Sequence, residues 1–268
     1  MVRNEPITQG QETQPAGPTG PRVCVLIPTY NNENSIAEVI RQCQSYELDV
    51  LVVNDGSTDQ TGPRARDAGA DVIDHVSNQG KGEALLTGWQ AASERGFSHV
   101  VAIDADGQHL PSDIPGFLEQ VQLEPDAIIV GVRPHGAPNV PRSATIGRAI
   151  SDFMLWAAAA DEIQGARPDT QCGYRAYPVN HVLALGLSGR RYEMEMEVLV
   201  RAAWQGVPLR CLAIQVHYPA AEERVSHFRA FKDNVRIVGI YTRLMLMRLF
   251  WPVFRPRTKL VSGPTKPA

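Results

Sequence analysis

The sequence predicts an α/β protein with a mostly parallel, doubly wound central sheet. Short apolar runs recur along the chain, and most are followed by a segment with apolar residues at helical spacing. The runs are continuous rather than alternating, which is typical of strands that are buried on both faces. The connections are short and rich in Gly, Asn and Asp, so strands and helices alternate as they do when helices cover both faces of a sheet.

Composition excludes some classes of function. The chain of 268 residues has a net charge of -3, whereas a general nucleic-acid binder would be basic, so we expect no nucleic-acid partner. The four cysteines are far apart and form no CxxC pair, which argues against a structural zinc site or a disulfide framework.

The two ends of the chain, residues 1–20 and 258–268, are expected to be disordered tails because they carry few large apolar side chains. The N-terminal segment lacks the apolar core of a signal peptide, and no run reaches the roughly 18 apolar residues of a membrane-spanning helix. We therefore expect a cytoplasmic protein.

The first predicted strand, from Val23 to Ile27, ends in the loop Pro28-Thr29-Tyr30-Asn31-Asn32-Glu33-Asn34, and a helix begins near Ile36. A strand, a polar loop and a helix start form a usual place to receive a nucleotide. Turn chemistry alone explains the proline and the asparagines but not the aromatic ring of Tyr30, which is suited to stacking on a base.

Two further strands lead into candidate binding loops. Residues 49–54 form the second strand, and Asp55 directly after it either accepts hydrogen bonds from a base or a ribose or simply begins a turn. Residues 70–74 form the third, and Asn78-Gln79-Gly80-Lys81-Gly82 then opens a helix. Glycines and a lysine at a helix N-terminus favour an anion, so Lys81 either approaches a diphosphate or base edge or is a solvated turn lysine.

The central strand, from Val100 to Ile103, ends in Asp104-Ala105-Asp106-Gly107-Gln108-His109. Because side chains alternate along an extended backbone, the two aspartates point the same way beyond the strand end, where open α/β sheets bind ligands. Two carboxylates there repel each other unless a cation sits between them. Mg²⁺ or Mn²⁺ fits best, with Gln108 adding an amide oxygen, and a polar strand-to-loop turn is the alternative.

Arginines follow the next predicted strand, residues 126–131. Arg133 lies at its carboxyl end, on the ligand side of the sheet, and a loop over 134–143 leads to a helical stretch flanked by Arg142 and Arg148. Arginines clamp phosphates by paired hydrogen bonds, although exposed charge at a helix end is the ordinary role of a single arginine.

Two later segments of the chain carry acidic residues that are candidates for a general base. Residues 169–177 mix polar and aromatic side chains around one glycine, which indicates a shaped active-site segment rather than a clean helix or strand. A helix over 192–204 opens with Glu193, Glu195 and Glu197. Either one of these acids faces the site as a base, or all three are there because acidic residues favour a helix N-terminus.

The last part of the chain is expected to lie at a membrane. A strand over 208–216 leads to a loop with His217 and His227, which either complete a metal shell or are simply exposed. From 228 to 257 a helical pattern combines aromatic and aliphatic residues with basic ones, which is typical of a helix in a membrane interface, and a helix packed on the domain is the alternative. We therefore expect one domain over 21–227 and an amphipathic helix that places the protein on the inner face of the cell membrane.

Four motifs, in order, resemble the family 2 glycosyltransferases of GT-A fold over about residues 22–205. They are Ile27-Pro28-Thr29-Tyr30-Asn31-Asn32-Glu33, Val53-Asn54-Asp55-Gly56-Ser57-Thr58-Asp59, Asn78-Gln79-Gly80-Lys81-Gly82 and Asp104-Ala105-Asp106-Gly107-Gln108-His109. No motif is specific alone, but the set is. The most similar group is the dolichyl- or polyprenyl-phosphate sugar synthases.

The resemblance implies a role for each motif. The residues that would bind the nucleoside of a nucleotide sugar are Pro28, Tyr30, Glu33 and Asp55. The residues that would hold Mg²⁺ or Mn²⁺ on the donor diphosphate are Asp104, Asp106 and Gln108. Arg133 would meet a donor or acceptor phosphate, and Cys172-Gly173-Tyr174-Arg175-Ala176-Tyr177, similar to the family's Ser-Gly-Phe-Arg-Ala-Tyr segment, places Arg175 towards the acceptor. We count Lys81, Arg148 and Arg175 with the donor-binding residues, and Asp104, Asp106, Arg133, Asp169 and Glu193 with the catalytic ones.

The implied reaction is transfer of a sugar, with inversion at the anomeric carbon, from a UDP- or GDP-sugar to a polyprenyl phosphate. A phosphate acceptor is already ionised, whereas a hydroxyl of a glycan or lipid would need a general base, for which Asp169, Glu193 and Glu195 are candidates. A sugar-phosphate nucleotidyltransferase would carry a Gly-rich loop with Arg and Lys, which is absent after Ile27. The intact acidic pair argues against a non-catalytic nucleotide-sugar sensor. Asn54 departs from the family's double-Asp pattern, which bears on the choice of base.

Overall fold

The computed structural model describes residues 20–134, 142–160, 163, 166–217 and 237–248, with the backbone alone over 142–150. Within these residues the strands are β1 Val23–Thr29, β2 Val50–Asn54, β3 Asp71–Asp74, β4 His99–Ala102, β5 Ile128–Val132, β6 Arg175–Pro178 and β7 Leu209–Ala213. The helices are α1 Ile36–Gln44, α2 Thr61–Asp67, α3 Lys81–Glu94, α4 Ile114–Leu123, α5 Arg142–Ala159, α6 Val179–Ala184, α7 Glu193–Trp204 and α8, residues 237–248.

The strands form one sheet in the order β3-β2-β1-β4-β6-β5-β7. All neighbouring pairs are parallel except the two that involve β6, which runs antiparallel to β4 and to β5. The prediction of a mostly parallel α/β sheet is therefore confirmed.

Two segments differ from the sequence-based prediction. Residues 169–177 were expected to contain no clean strand, yet β6 begins at Arg175 and is buried throughout. The guanidinium of Arg175 donates hydrogen bonds to carbonyl oxygens inside the protein, which allows a charged residue to be buried in a strand. This charge breaks the apolar pattern by which buried strands are predicted. The strand predicted over 208–216 is shorter, because β7 ends at Ala213 and Val216 forms only an isolated bridge with His109.

Each face of the sheet has its own hydrophobic core. Along β1, Cys24 and Leu26 enter a core that also contains side chains of α3, α5, α6, α7 and α8. The alternate residues Val25 and Ile27 enter a second core with side chains of α1, α2 and α4. A strand with both faces covered loses the polar alternation of a half-exposed strand, which explains its continuous apolar sequence.

The topology brings three loops to one edge of the sheet. Strands β2, β1 and β4 are parallel neighbours, so the chain after each strand, at Asp55, Tyr30 and Ile103, leaves the sheet at its carboxyl end. Ser35 Oγ donates a hydrogen bond of 2.6 Å to the carbonyl of Ala105, which ties the loop after β1 to the loop after β4. None of the helices in the described part of the chain has both the length and the apolar character that crossing a membrane requires.

Candidate active site

The loops after β1 and β2 are interlocked. The backbone N–H of Asn31 donates to Ser57 Oγ over 3.0 Å, and the side-chain oxygen of Asn31 accepts the N–H of Thr58 over 2.8 Å. Asn31 has a positive φ of 51°, a conformation that asparagine tolerates better than most residues. The two loops therefore form one rigid rim.

The residues predicted to bind the nucleoside lie along this rim. Pro28 is buried within β1, and Tyr30 is half-buried in the loop that follows. Glu33 joins the two loops, because its Oε2 accepts the N–H of Gln60 over 3.1 Å. Pro28 shapes the rim from within the strand, whereas Tyr30 and Glu33 are partly open to solvent.

Asp55 organises the start of α3. Its carboxylate, 3 % exposed, accepts the backbone N–H of Gln79 over 2.9 Å and that of Gly80 over 2.8 Å, and it lies 2.7 Å from His75 Nδ1. Gly80 has a φ of 107°, which a residue with a Cβ rarely adopts. Asp55 was predicted to contact the nucleoside, and the structure shows in addition that it fixes the backbone from which Lys81 extends.

The acidic pair lies just beyond β4. Burial and the neighbouring carboxylate of Asp104 raise the pKa of Asp106 from 3.8 to about 6. Burial would also raise the pKa of Asp104, but the ammonium of Lys81 beside it holds that pKa below its usual range. Asp106 Oδ1 accepts the backbone N–H of Gln108 over 3.0 Å, while the carbonyl of Gln108 accepts the N–H of His217 over 2.8 Å.

Lys81 connects this pair to α7. Its Nζ lies 2.6 Å from Asp104 Oδ1 and 3.1 Å from Glu195 Oε1. Burial alone would lower the pKa of Lys81, but the two carboxylates hold it above its usual range. Lys81 is therefore a charged group inside the site and not a solvated turn lysine.

Gly173 and His109 close the site around Asp104. A Cβ added to Gly173 would lie 2.6 Å from Asp104 Oδ2 and 2.6 Å from Lys81 Nζ, so a larger residue there would force the ends of these side chains to shift. His109 Nδ1 lies 3.7 Å from Asp104 Oδ2. Burial lowers the pKa of His109 to about 4, so its imidazole is neutral at pH 7. Both residues stood inside motifs of the sequence, but their contacts with Asp104 depend on tertiary structure.

Arg133 and Asp169 face each other at the end of β5. Arg133 Nε donates to Asp169 Oδ2 over 2.7 Å, and Arg133 Nη2 donates to Asp169 Oδ1 over 3.0 Å. The side chain of Asp169 is fully buried, whereas that of Arg133 is 21 % exposed. Asp169 thus holds the guanidinium in place, which fits a positioning role better than the predicted role of a base.

Arg175 lies deeper than the resemblance implied. Its side chain is fully buried, and its guanidinium donates to the carbonyl oxygens of Cys172, Thr170 and Glu195 over 2.7, 2.9 and 2.7 Å. These bonds hold the chain beside Gly173 and the first turn of α7. Direct contact of Arg175 with the donor stays a prediction, and the geometry favours an indirect role.

The three glutamates of α7 have separate environments. Glu195 is the one beside Lys81. Glu193 Oε1 accepts the backbone N–H of Arg190 over 3.2 Å and so stabilises the preceding loop. Glu197 accepts hydrogen bonds from Ser188 and pairs with Arg201 Nε over 2.6 Å, which makes it a structural acid. The geometry therefore favours Glu195 over Glu193 as the acid at the site.

Other predicted residues are only partly described. Arg142 and Arg148 belong to α5, but their side chains lie outside the described residues, as does His227. The backbone N–H of His217 donates to the carbonyl of Gln108, which places His217 beside the loop that carries Asp104 and Asp106.

The acidic pair suits a hard divalent ion that takes its remaining ligands from water and substrate. Among the residues the structure describes, no group of three or more His, Cys, Asp or Glu side chains gathers as a complete metal shell. Asp104 and Asp106 supply two carboxylates. Burial, and after it the charge of Asp104, raises the pKa of Asp106, and a cation between the two carboxylates would offset both effects. Mg²⁺ usually keeps water and takes substrate phosphates as further ligands, so two protein carboxylates are sufficient.

A mostly parallel sheet with an acidic pair, a lysine and an arginine at its carboxyl edge is the arrangement expected of a glycosyltransferase of GT-A fold, and comparison with known proteins supports this class. Residues 24–182, more than half of the chain, match the model of glycosyl transferase family 2. The chain belongs to this family, and it is an enzyme.

Several relatives act on lipid phosphates. The chain is 29% identical over 251 residues to the UDP-N-acetylglucosamine–dolichyl-phosphate N-acetylglucosaminyltransferase of Methanococcus voltae, covering 85% of this chain and 96% of that protein. It is 31% identical over 199 residues to the undecaprenyl-phosphate mannosyltransferase of Micrococcus luteus, covering 69% of this chain and 79% of that protein.

A solved structure shares the fold. The crystal structure of glucosyl-3-phosphoglycerate synthase from Mycobacterium tuberculosis, in complex with Mn²⁺, UDP and phosphoglyceric acid, superposes on this chain with a TM-score of 0.62 at 20% sequence identity. The match covers 85% of this chain and 78% of that one.

Proposed function

We propose that this glycosyltransferase moves a sugar from a UDP- or GDP-sugar to a polyprenyl phosphate. The observation that carries the proposal is the acidic pair Asp104 and Asp106 at the carboxyl edge of the sheet, with Lys81 and Arg133 near it. Relatives named for transfer to dolichyl or undecaprenyl phosphate support the choice of acceptor.

Each charged residue has a role in this proposal. Asp104 and Asp106, with Gln108, would hold Mg²⁺ or Mn²⁺. When bound, the ion neutralises negative charge on the departing nucleoside diphosphate. Lys81 and Arg133 add positive charge on the same side, and each lies beside a carboxylate.

The nucleoside would lie on the rim formed by the first two loops. The ring of Tyr30 is half-buried at the end of β1 and offers an aromatic face to a base. Glu33, which is partly open to solvent, offers a carboxylate oxygen to a base or a ribose. Asp55 would act on the nucleoside through the backbone that it holds at Gln79 and Gly80. Pro28 holds the strand end beneath them.

An ionised phosphate acceptor attacks without a general base, so no acid of the chain has to take a proton. The acceptor phosphate needs cationic partners. Arg133 is suited to bind it, because its guanidinium is held by Asp169 and is partly exposed. Arg148 on α5 belongs to the same proposal.

A membrane surface would present such an acceptor. Phe153 and Trp156 on α5 are 62 % and 57 % exposed, and their ring centroids lie 5.9 Å apart. Leu246 on α8 is 55 % exposed, and α8 is attached to α5 by a bond of 3.1 Å from Tyr241 to the carbonyl of Ser151. Exposed aromatic side chains of this size are suited to a lipid interface. We propose that α5 and the predicted amphipathic segment 228–257 dock the enzyme on the inner face of the cell membrane.

A second acceptor class has one observation in its favour. Glu195 is a buried acid 3.1 Å from Lys81 and therefore close to Asp104, which is where a base for a hydroxyl acceptor would be needed. A glycan or lipid hydroxyl is the alternative acceptor on this basis.

The experiment is a transfer assay with purified protein, labelled UDP- and GDP-sugars, Mn²⁺, and three acceptors: a polyprenyl phosphate, the matching polyprenol, and a glycan. Label that enters the lipid extract with the phosphate but not with the alcohol supports the proposal. Transfer to the alcohol or glycan supports the alternative. Donor binding without any turnover contradicts both, and release of pyrophosphate would indicate nucleotidyl transfer.

A further inference from the structure

The ammonium of Lys81 stands between two carboxylates. It lies 2.6 Å from Asp104, which the proposed function assigns to the metal, and 3.1 Å from Glu195, which that function leaves without a necessary role. Burying a carboxylate is costly unless a cation pairs with it, and Lys81 is the cation beside Glu195.

The position of Lys81 is restricted from several sides. Its backbone begins α3 directly after Gly80, whose N–H is held by Asp55. Gly173 approaches so closely that an added Cβ would touch both Lys81 Nζ and Asp104 Oδ2. The side chain of Lys81 is 15 % exposed, so a path into bulk water is limited. Among the residues the structure describes, Asp104 and Glu195 are the carboxylates that pair with Lys81 Nζ.

A divalent ion on Asp104 would meet the ammonium at close range. Like charges a few ångströms apart repel strongly in a partly buried site. The ion and Lys81 therefore compete for Asp104, and the ammonium needs another anion when the ion binds. Glu195 already lies at 3.1 Å and can receive it without a change of backbone.

We infer that Lys81 neutralises Asp104 until a divalent ion arrives, and that Glu195 is the carboxylate to which Lys81 then moves. The inference rests on the proposed metal site. It makes Glu195 a positioning residue that acts through Lys81. The free site would otherwise contain two adjacent carboxylates, and Lys81 keeps them stable before the donor binds.

The test measures Mn²⁺ binding to the full chain without donor, by titration calorimetry or by loss of the free-ion electron paramagnetic resonance signal. Lys81→Gln removes the competing charge and should tighten Mn²⁺ binding by about tenfold or more. Lys81→Arg keeps the charge and should leave Mn²⁺ binding as weak as in the wild type. Glu195→Gln should weaken Mn²⁺ binding, because the ammonium displaced from Asp104 would then have no second carboxylate to pair with.

The double variant separates this coupling from general loss of charge. If Glu195 acts through Lys81, Glu195→Gln has no effect on Mn²⁺ affinity once Lys81 is glutamine. If Glu195 attracts the ion directly, the full weakening persists in the double variant and the inference is wrong. Glu83→Gln and Arg190→Gln are matched charge controls, since these residues pair with each other at 3.4 Å near the start of α3.

The outcomes also separate this inference from the proposed function. If the wild-type enzyme transfers sugar to the lipid phosphate but Lys81→Gln binds Mn²⁺ with unchanged affinity, the inference is wrong and the proposed function stands. Tighter Mn²⁺ binding in Lys81→Gln, with no transfer to any lipid phosphate by the wild type, would support the inference and overturn the function. Thermal unfolding of each variant confirms that a changed affinity is not the result of a lost fold. Should Lys81→Gln not fold, Glu195→Gln decides, because unchanged Mn²⁺ affinity in that variant would overturn the inference.

Discussion

Arg133 and Asp169 form a two-bond ion pair, with distances of 2.7 and 3.0 Å, in which the carboxylate is fully buried and the guanidinium is partly open to the site. The paired geometry fixes both the position and the plane of the arginine. A buried acid that holds a cation in this way has little freedom to take a proton from a substrate.

Asp169→Asn should therefore act through Arg133. The amide cannot accept both N–H groups, so the arginine loses its fixed orientation, and we expect KM for the phosphate-bearing substrates to rise more than kcat falls. Breaking a buried ion pair should also lower the free energy of unfolding by about 3 kcal/mol, measured by urea denaturation. Arg133→Lys should give a similar change in KM, because lysine cannot form the paired bonds. A loss of kcat with unchanged KM in Asp169→Asn, without the same loss in Arg133→Lys, would instead indicate that Asp169 acts as a base.

Gly173→Ala should reduce activity with little change in folding. The new methyl group would lie 2.6 Å from Asp104 Oδ2 and from Lys81 Nζ, so both side chains would have to shift from their present positions. We expect kcat/KM to fall by roughly 100-fold, as for other displacements of about 1 Å at an active site. Gly239→Ala on α8 is the matched control, since no atom lies within 4 Å of its added Cβ. Equal activity of the two variants would show that the site near Gly173 is looser than described.

Metal binding should depend on pH through Asp106. Its pKa is raised to about 6, by burial and by the charge of Asp104, so an ion that binds below pH 6 has to displace a proton. Mn²⁺ affinity should therefore fall as the pH decreases from 7 to 5, as calorimetry would show. A flat profile across this range would contradict the assignment.

The same shift predicts the pH dependence of stability without metal. A carboxyl whose pKa is higher in the folded chain than its usual 3.8 binds protons more tightly when folded, so its contribution to stability decreases as the pH rises from about 4 to about 6. Asp106→Asn removes this loss. We expect the variant to be more stable than the wild type above pH 6 in thermal unfolding, with the difference shrinking towards pH 4.

Phe153→Ser with Trp156→Ser should weaken membrane binding. The two rings are exposed in the structure, so their removal should leave the fold and the donor affinity unchanged. We expect less protein to sediment with vesicles that contain anionic lipids, and a higher KM for polyprenyl phosphate in those vesicles. Leu123→Ser on α4, which removes another exposed apolar side chain, is the control. Unchanged sedimentation would exclude α5 from the docking surface.

Much of the fold follows from the sequence because buried parallel strands have a distinct pattern. The runs ending at Thr29, Asn54 and Ala102 are continuous, apolar and followed by polar loops, so their place in the sheet and the common edge of their loops were predictable. Strand β6 was not, because its first residue, Arg175, is a buried charge that is satisfied by distant carbonyl oxygens.

The contacts within the site needed the tertiary structure. The sequence places Asp104 and Asp106 on one edge, but it does not show that α3 directs Lys81 at Asp104. The choice between Glu193 and Glu195 depends on how α7 is rotated against the sheet, which residues of one helix do not determine. His75 precedes the Asn78–Gly82 motif and lies 2.7 Å from Asp55, a contact that no local pattern in the sequence indicates.

The most direct test of the central claim compares wild type and Asp106→Ala for transfer of a labelled sugar to polyprenyl phosphate, with Mn²⁺ varied and EDTA as the metal-free reference. Asp104 and Asp106 together should make transfer depend on the ion, so we expect wild-type activity to rise with Mn²⁺ and the variant to stay near the EDTA level at every concentration. Full transfer activity in Asp106→Ala would contradict the claim that this acidic pair holds the ion on the donor diphosphate.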